Sequence, residues 1–180
     1  MFYFLKIIPN ILLIISFIKA SDNSLPIKPT KLIEFTTDEG TWINIDVSSN
    51  GKSIVFDLLG DIYLLTIGKT KALRITDGMA YDTQPQFSPD GDKIVFLSDR
   101  SGSENIWIIE IEGEIEKNKM SFKSITNDND ATFSSPTWSN DGQYIVVSRT
   151  PRFTWIDVNH NLWIYHIDGG IGKPLLYDEE

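Results

Sequence analysis

Gln86-Phe-Ser-Pro-Asp-Gly-Asp-Lys-Ile-Val-Phe96 reads as a strand, a tight turn and a second strand. Pro89 presets φ, Asp90 can bond its own backbone, and Gly91 accepts positive φ without steric cost. The same unit recurs as Asp46-Val-Ser-Ser-Asn-Gly-Lys-Ser-Ile-Val-Phe56 and as Thr137-Trp-Ser-Asn-Asp-Gly-Gln-Tyr-Ile-Val-Val147. The turn glycines, Gly51, Gly91 and Gly142, fall 40 and 51 residues apart. A threefold internal repeat of this period constrains the fold more than any single residue does.

Outward from each hairpin the chain continues in extended segments. Repeat one is expected to hold strands at Trp42 to Ser48, Ser53 to Asp57, Asp61 to Ile67 and Ala72 to Thr76. Repeat two places them at Gln84 to Ser88, Lys93 to Ser98, Asn105 to Glu112 and Phe122 to Thr126. Repeat three places them at Ser135 to Ser139, Tyr144 to Ser148, Asn161 to Asp168 and Lys173 to Tyr177. The third strands open alike, as Asp61-Ile-Tyr63, Asn105-Ile-Trp107 and Asn161-Leu-Trp163. No stretch sustains the apolar spacing of a helix. Four short strands in a unit of about 40–45 residues have the size of one propeller blade. Extra residues fall at Gly113 to Ser121 in repeat two and at Arg149 to His160 in repeat three. In the third strands, Ile62 and Leu64, Ile106 and Ile108, and Leu162 and Ile164 share one face, while Tyr63, Trp107 and Trp163 share the other. Both faces then need cover, which stacked blades supply. The fold class expected is all-β: three four-stranded antiparallel blades, about 41–78, 82–127 and 133–178, within residues 32–180.

The N-terminus reads differently. Met1 to Ala20 has Lys6 near its front, an apolar run from Ile7 to Ile18 and Ala20 before polar sequence, the form of a secretory signal peptide. Pro9 and Asn10 interrupt the run, which falls short of the roughly 20 residues that span a bilayer. Residues 21–31 read as a linker with Pro26 and Pro29. The expected location is therefore outside the cytoplasm, periplasmic or extracellular, with no stable membrane span. Cysteine is absent, so there is no disulfide framework and a hydrophobic core must hold the domain. The formal charge is −9; without Lys6 and Lys19 the basic count falls from 16 to 14 against 25 acidic side chains. That balance argues against nucleic acid or an anionic membrane as a partner.

Phe-Ser-Pro-Asp-Gly91, then Ile-Val-Phe-Leu-Ser-Asp-Arg-Ser-Gly102, then Asn-Ile-Trp107, resemble the TolB-type β-propeller repeat. Glu39-Gly-Thr-Trp-Ile-Asn-Ile-Asp46, followed by Ile-Val-Phe-Asp-Leu-Leu-Gly-Asp-Ile-Tyr63, resembles the start of TolB-like propellers found N-terminal to amidohydrolase domains. The resemblance covers about Ile33 to Tyr177. Repeat one departs from the pattern with Ser49-Asn50 in place of Pro-Asp, and repeat three with Asn140 in place of Pro. Known propellers close with about 4 to 8 blades. Three leave two lateral faces open, so the chain reads as a fragment, a truncated copy or a partner in an assembly, with self-association through those faces expected.

Few residues carry chemistry. Gly-x-Ser-x-Gly, His-x-His and His-Glu-x-x-His are all missing, and the chain's two histidines, His160 and His166, are too few for a closed zinc site. The run Asp157-Val-Asn-His-Asn161 mimics a calcium loop, but Leu162 stands where that loop requires Gly. No catalytic centre, metal or cofactor is expected. In a four-stranded meander the loops between second and third strands emerge beside the inter-blade connections. That side collects Tyr81, Asp82, Arg100, Phe133, Arg149, Arg152 and Trp155, an expected binding face. Two functions fit. One is a non-catalytic exported scaffold binding a protein or peptide. The alternative is the N-terminal propeller portion of a metal-dependent amidohydrolase, or of a prolyl-oligopeptidase-like peptidase, whose C-terminal catalytic domain lies outside this chain.

Overall fold

Short runs of Ile, Val, Phe and Tyr, punctuated by glycine turns, set strands of two to eight residues. The structure, a computed structural model, describes residues 31, 33–111, 120–152 and 161–175. Blade one comprises β1 (Ile45–Val47), β2 (Ser53–Leu58), β3 (Asp61–Thr66) and β4 (Leu73–Arg74). Blade two comprises β5 (Asp82–Phe87), β6 (Lys93–Ser98), β7 (Asn105–Ile111) and β8 (Met120–Ser124). Blade three comprises β9 (Ala131–Trp138), β10 (Tyr144–Pro151), β11 (Asn161–His166) and β12 (Lys173–Pro174). Each is an antiparallel sheet in chain order, so the described residues form three blades of an unclosed propeller. The expected signal peptide, most of the linker and the Asp157 to His160 run lie outside the described residues.

One turn chemistry closes all three hairpins. The hydroxyls of Ser48, Ser88 and Ser139 accept the N–H groups of Ser53, Lys93 and Tyr144 at 2.9, 2.9 and 3.0 Å. The same hydroxyls donate to Asn50, Asp90 and Asp141. These in turn accept the N–H groups of Lys52, Asp92 and Gln143. Asn50 thus does in blade one what aspartate does in the others, because the turn needs only a side-chain carbonyl oxygen. Gly51, Gly91 and Gly142 all have positive φ, as the turn requires.

Two apolar seams hold the blades. Val55, Ile62, Leu64 and Ile75 of blade one pack against Phe87, Ile94, Phe96 and Ile109 of blade two. Val95, Leu97, Ile106, Ile108 and Ile125 of blade two pack against Phe133, Ile145, Val147 and Tyr165 of blade three. Each such side chain is worth about 1.5–3 kcal/mol on burial, against about 1 kcal/mol for a hydrogen bond, so the seams dominate stability. Among the described residues, blade two alone has both faces covered by a neighbouring blade.

The innermost strands, β1, β5 and β9, add polar links between blades. An Asp46 carboxylate oxygen accepts the Phe87 N–H at 2.8 Å. One repeat later, Gln86 Oε1 accepts the Trp138 N–H at 3.3 Å. The Gln84 side chain likewise accepts the Ser135 N–H at 2.6 Å.

The strand limits differ from the sequence expectation on these inner strands. β5 and β9 begin before Gln84 and Ser135 and carry a register shift there. Both residues have φ of 54° and precede a proline, Pro85 and Pro136. Proline removes a ladder donor, and the bulge absorbs it, letting the strand run on. β1 is shorter than expected because Trp42, at φ 60°, breaks the extended run.

Candidate functional site

On the loop face of blades one and two, the second-to-third-strand loop and the connection that follows repeat one handshake. In blade one, the Asp82 N–H donates to the Gly60 carbonyl at 2.9 Å. Gly60 has φ +84°, and a Cβ there would stand 3.1 Å from the Tyr81 ring. In blade two, Ser103 Oγ donates to the Asp128 carbonyl at 2.7 Å, and Glu104 Oε1 accepts the Phe133 N–H at 2.8 Å. Buried Asn105 joins them. Its Oδ1 accepts from Thr126 Oγ1 and the Asp128 N–H, both at 2.7 Å, and its Nδ2 donates to Ser103 and Asp128 oxygens.

Under the first handshake lies Asp57, a buried carboxylate on β2. It accepts from the Asn44 N–H at 2.8 Å, Asn44 Nδ2 at 2.6 Å, Thr83 Oγ1 at 2.7 Å and the Gln84 N–H at 2.8 Å. Four donors saturate it, and they tie blade one to blade two.

Four of the seven expected loop-face residues, Asp82, Arg100, Phe133 and Arg149, are occupied with structural contacts. Arg100 Nη2 lies 2.9 and 2.8 Å from the two oxygens of buried Asp82. Its guanidinium sits 4.6 Å from the Phe122 ring centroid, 5.1 Å from Phe96 and 5.3 Å from Trp107. Arg149 does the same for blade three, reaching Asp128 Oδ2 at 2.6 Å and lying 4.7 Å over Trp163. Burial pushes the Asp128 carboxyl upward, but the Arg149 hydrogen bond and backbone N–H groups outweigh it and hold it below the ordinary value. Phe133 is buried in the second seam, edge-on to Tyr165. Tyr81 and Arg152 are exposed, with backbone N–H groups held by Asp99 Oδ1 and the Asp130 carbonyl. Trp155 lies outside the described residues.

Tyr81 is 61% exposed and borders a cleft of about 810 Å³ lined by Thr41 to Asn44, Asp57 to Gly60 and Tyr81 to Thr83. Its rim carries two residues that the sequence reading missed, Trp42 at 94% and Leu59 at 74% exposure. Both have positive φ, 60° and 56°. Their only signal in sequence was an apolar residue beside a turn, Leu59 before Gly60 and Trp42 after Gly40. A second hollow, about 480 Å³, opens among the inner strands and is lined by Ile43 to Asp46, Gln84 to Gln86 and Ser135 to Thr137. Among the described residues no three His, Asp or Glu side chains converge as a metal would require, and no helix is long and apolar enough to cross a membrane. His166 ends β11, where its Nδ1 accepts the Asp168 N–H at 3.2 Å.

Residues 39–162 match the family model described as the TolB beta propeller domain. The Tol-Pal system protein TolB of Wolinella succinogenes is 27% identical over 136 residues, covering 73% of this chain and 30% of that protein. The crystal structure of TolB from Acinetobacter baumannii aligns with a TM-score of 0.62 at 28% identity, over 78% of this chain and 33% of that one. A prolyl endopeptidase structure aligns with a TM-score of 0.55 at 16% identity, over 76% of this chain and 19% of that one, a likeness of fold alone. The chain thus spans about a third of the length of these TolB relatives. The expected amidohydrolase link rests on Glu39 to Tyr63 of the sequence and draws no support from these matches. A threefold blade repeat, its Ser-x-Asp/Asn-Gly turns and a matching model over residues 39–162 agree, and the chain belongs to the TolB β-propeller domain family.

Proposed function

We propose that this chain is a non-catalytic, exported propeller module that binds a protein or peptide on its loop face. The observation that carries the reading is the rim of Trp42, Leu59 and Tyr81 around the cleft of about 810 Å³. Aromatic side chains exposed on a rigid frame are the usual anchors of a protein interface. The frame is supplied by the saturated carboxylate of Asp57 and by the Arg100–Asp82 pair beneath Tyr81. Export draws on the signal-peptide form of the N-terminus, and a protein partner on the resemblance to a Tol-Pal system protein.

The test is peptide selection from a displayed random library on the wild-type chain, followed by binding to Trp42→Ala and Tyr81→Ala. Selected peptides should lose at least tenfold in affinity on either variant while the melting temperature holds. Peptides that bind all three chains equally would overturn the loop-face reading. Hydrolysis of amide or ester substrates by the purified chain would overturn the non-catalytic one.

A further inference from the structure

The three hairpin turns share one frame, but the residue before the glycine differs between them by one atom. Asp90 and Asp141 offer a carboxylate to the Ser88 and Ser139 hydroxyls, whereas Asn50 offers a carboxamide to the Ser48 hydroxyl. The glycine that follows has positive φ in each case, and its N–H donates to the serine carbonyl, at 2.8 Å for Gly51 and 2.9 Å for Gly91 and Gly142. Asn50 is the one asparagine of the sequence that precedes a glycine. A glycine nitrogen has no neighbouring Cβ to hinder its attack on a carboxamide. Asn50 is exposed, and so is Asp90 in the blade flanked on both sides, so the exposure belongs to the turn itself.

We propose that Asn50 is a site of spontaneous deamidation, gated by its own turn, and that the aspartate formed recloses that turn. The Gly51 nitrogen loses its proton to hydroxide and bonds to Cγ of Asn50. The carboxamide C–N bond breaks, and the leaving nitrogen takes a proton from water and departs as ammonia. Water then opens the cyclic imide. Cleavage between the Gly51 nitrogen and Cγ gives aspartate, and cleavage between that nitrogen and the Asn50 main-chain carbonyl carbon gives isoaspartate. Water is the co-reactant, and nothing is oxidised or reduced.

The closed turn opposes the first step. The Gly51 N–H is held on the Ser48 carbonyl, and Asn50 Oδ1 accepts from Ser48 Oγ and the Lys52 N–H, both at 2.9 Å. The nitrogen keeps its proton and the carboxamide is pinned, so conversion runs through the opened turn. Aspartate returns an acceptor oxygen to the same two donors, as Asp90 and Asp141 do in their own turns. Isoaspartate instead lengthens the main chain by one carbon inside the turn. The hairpin turns lie at the opposite end of the strands from the second-to-third-strand loops. The inference therefore stands independently of the loop-face reading.

Peptide mass mapping of the 180-residue chain aged in mildly alkaline buffer should show amide-to-acid conversion at Asn50, slower than in the same chain held unfolded in urea. Ser48→Ala removes one donor to Asn50 and should speed conversion in the folded chain about tenfold, the effect of one or two hydrogen bonds on turn opening. Ser48→Thr keeps a hydroxyl and should restore the wild-type rate. Ser88→Ala loosens the equivalent turn of blade two and should leave the Asn50 rate unchanged, which separates local opening from a general loss of stability. Asn50→Asp should melt with the wild type. An Asn50 that stays intact in the folded chain while the unfolded chain converts overturns the proposal. So does a Ser48→Ala chain that converts at the wild-type rate, or an Asn50→Asp chain that melts lower. The wild-type and Asn50→Asp arms decide the matter should Ser48→Ala not fold.

Discussion

Arg100 grips both carboxylate oxygens of Asp82 through one nitrogen, at 2.9 and 2.8 Å, beneath a lid of three aromatic rings. Asp82 is buried, so removing the guanidinium strands a charge. Arg100→Ala should cost about 3–5 kcal/mol of stability. Arg100→Lys should recover part of that, since lysine keeps the charge and loses the planar stack. Urea unfolding of the two variants is the measurement.

Asp57 predicts a latch between the first two blades. Asp57→Ala leaves the N–H groups of Asn44 and Gln84 without their acceptor, and should destabilise the chain by about 3 kcal/mol. Hydrogen exchange at those two amides should accelerate more than at the Trp138 amide, which the Gln86 side chain serves. Equal acceleration at all three would mean the latch is not local.

Asn105 is the corresponding point on the second handshake. Asn105→Ala removes the acceptor for Thr126 and for the Asp128 N–H in a buried site and should cost about 2–3 kcal/mol. Asn105→Asp should be worse, because its second oxygen would face the Ser103 and Asp128 carbonyls that now accept from Nδ2. Thermal unfolding of the pair gives the order.

The turns predict an acid limit. A hydrogen bond from Ser88 holds the Asp90 carboxyl below its usual value, opposed by partial burial. A carboxyl lowered on folding contributes stability that is complete above its unfolded value near 3.9, and that is lost as pH falls through the folded value. Ser88→Ala should therefore cost about 1–2 kcal/mol at pH 7. The gap between variant and wild type should narrow below pH 4, as Asp90 protonates in both. Urea midpoints at pH 7 and pH 3 test the sign.

The repeat, the turns and the third-strand triplets were legible because their chemistry is local: Ser88, Asp90 and Gly91 meet within a few residues. The all-β fold and the unclosed propeller followed from counting them. Ion pairs were not legible, since Arg100 finds Asp82 18 residues away and Arg149 finds Asp128 21 residues away. Sequence sees such arginines as available cations. Phe133 read as a loop residue because Pro136 hid the earlier start of β9. Trp42 read as the start of a strand and Leu59 fell between two strands, because nothing local distinguishes an apolar residue that packs from one turned outward by a left-handed backbone.

The N–H links accepted by Asp46, Gln84 and Gln86 run one way, from a side chain of one blade to the backbone of the next, while the Trp138 indole donates back to the Gln86 carbonyl at 3.1 Å. The receiving N–H is present in every residue type except proline, so the link places no demand on the sequence that receives it. A blade is in this sense a cassette with a plug on one side and a socket on the other. Duplicating one in register, or excising one, creates no new kind of contact. A blade set between two others needs only an oxygen at the position that Asp46 and Gln86 hold here to repeat the link.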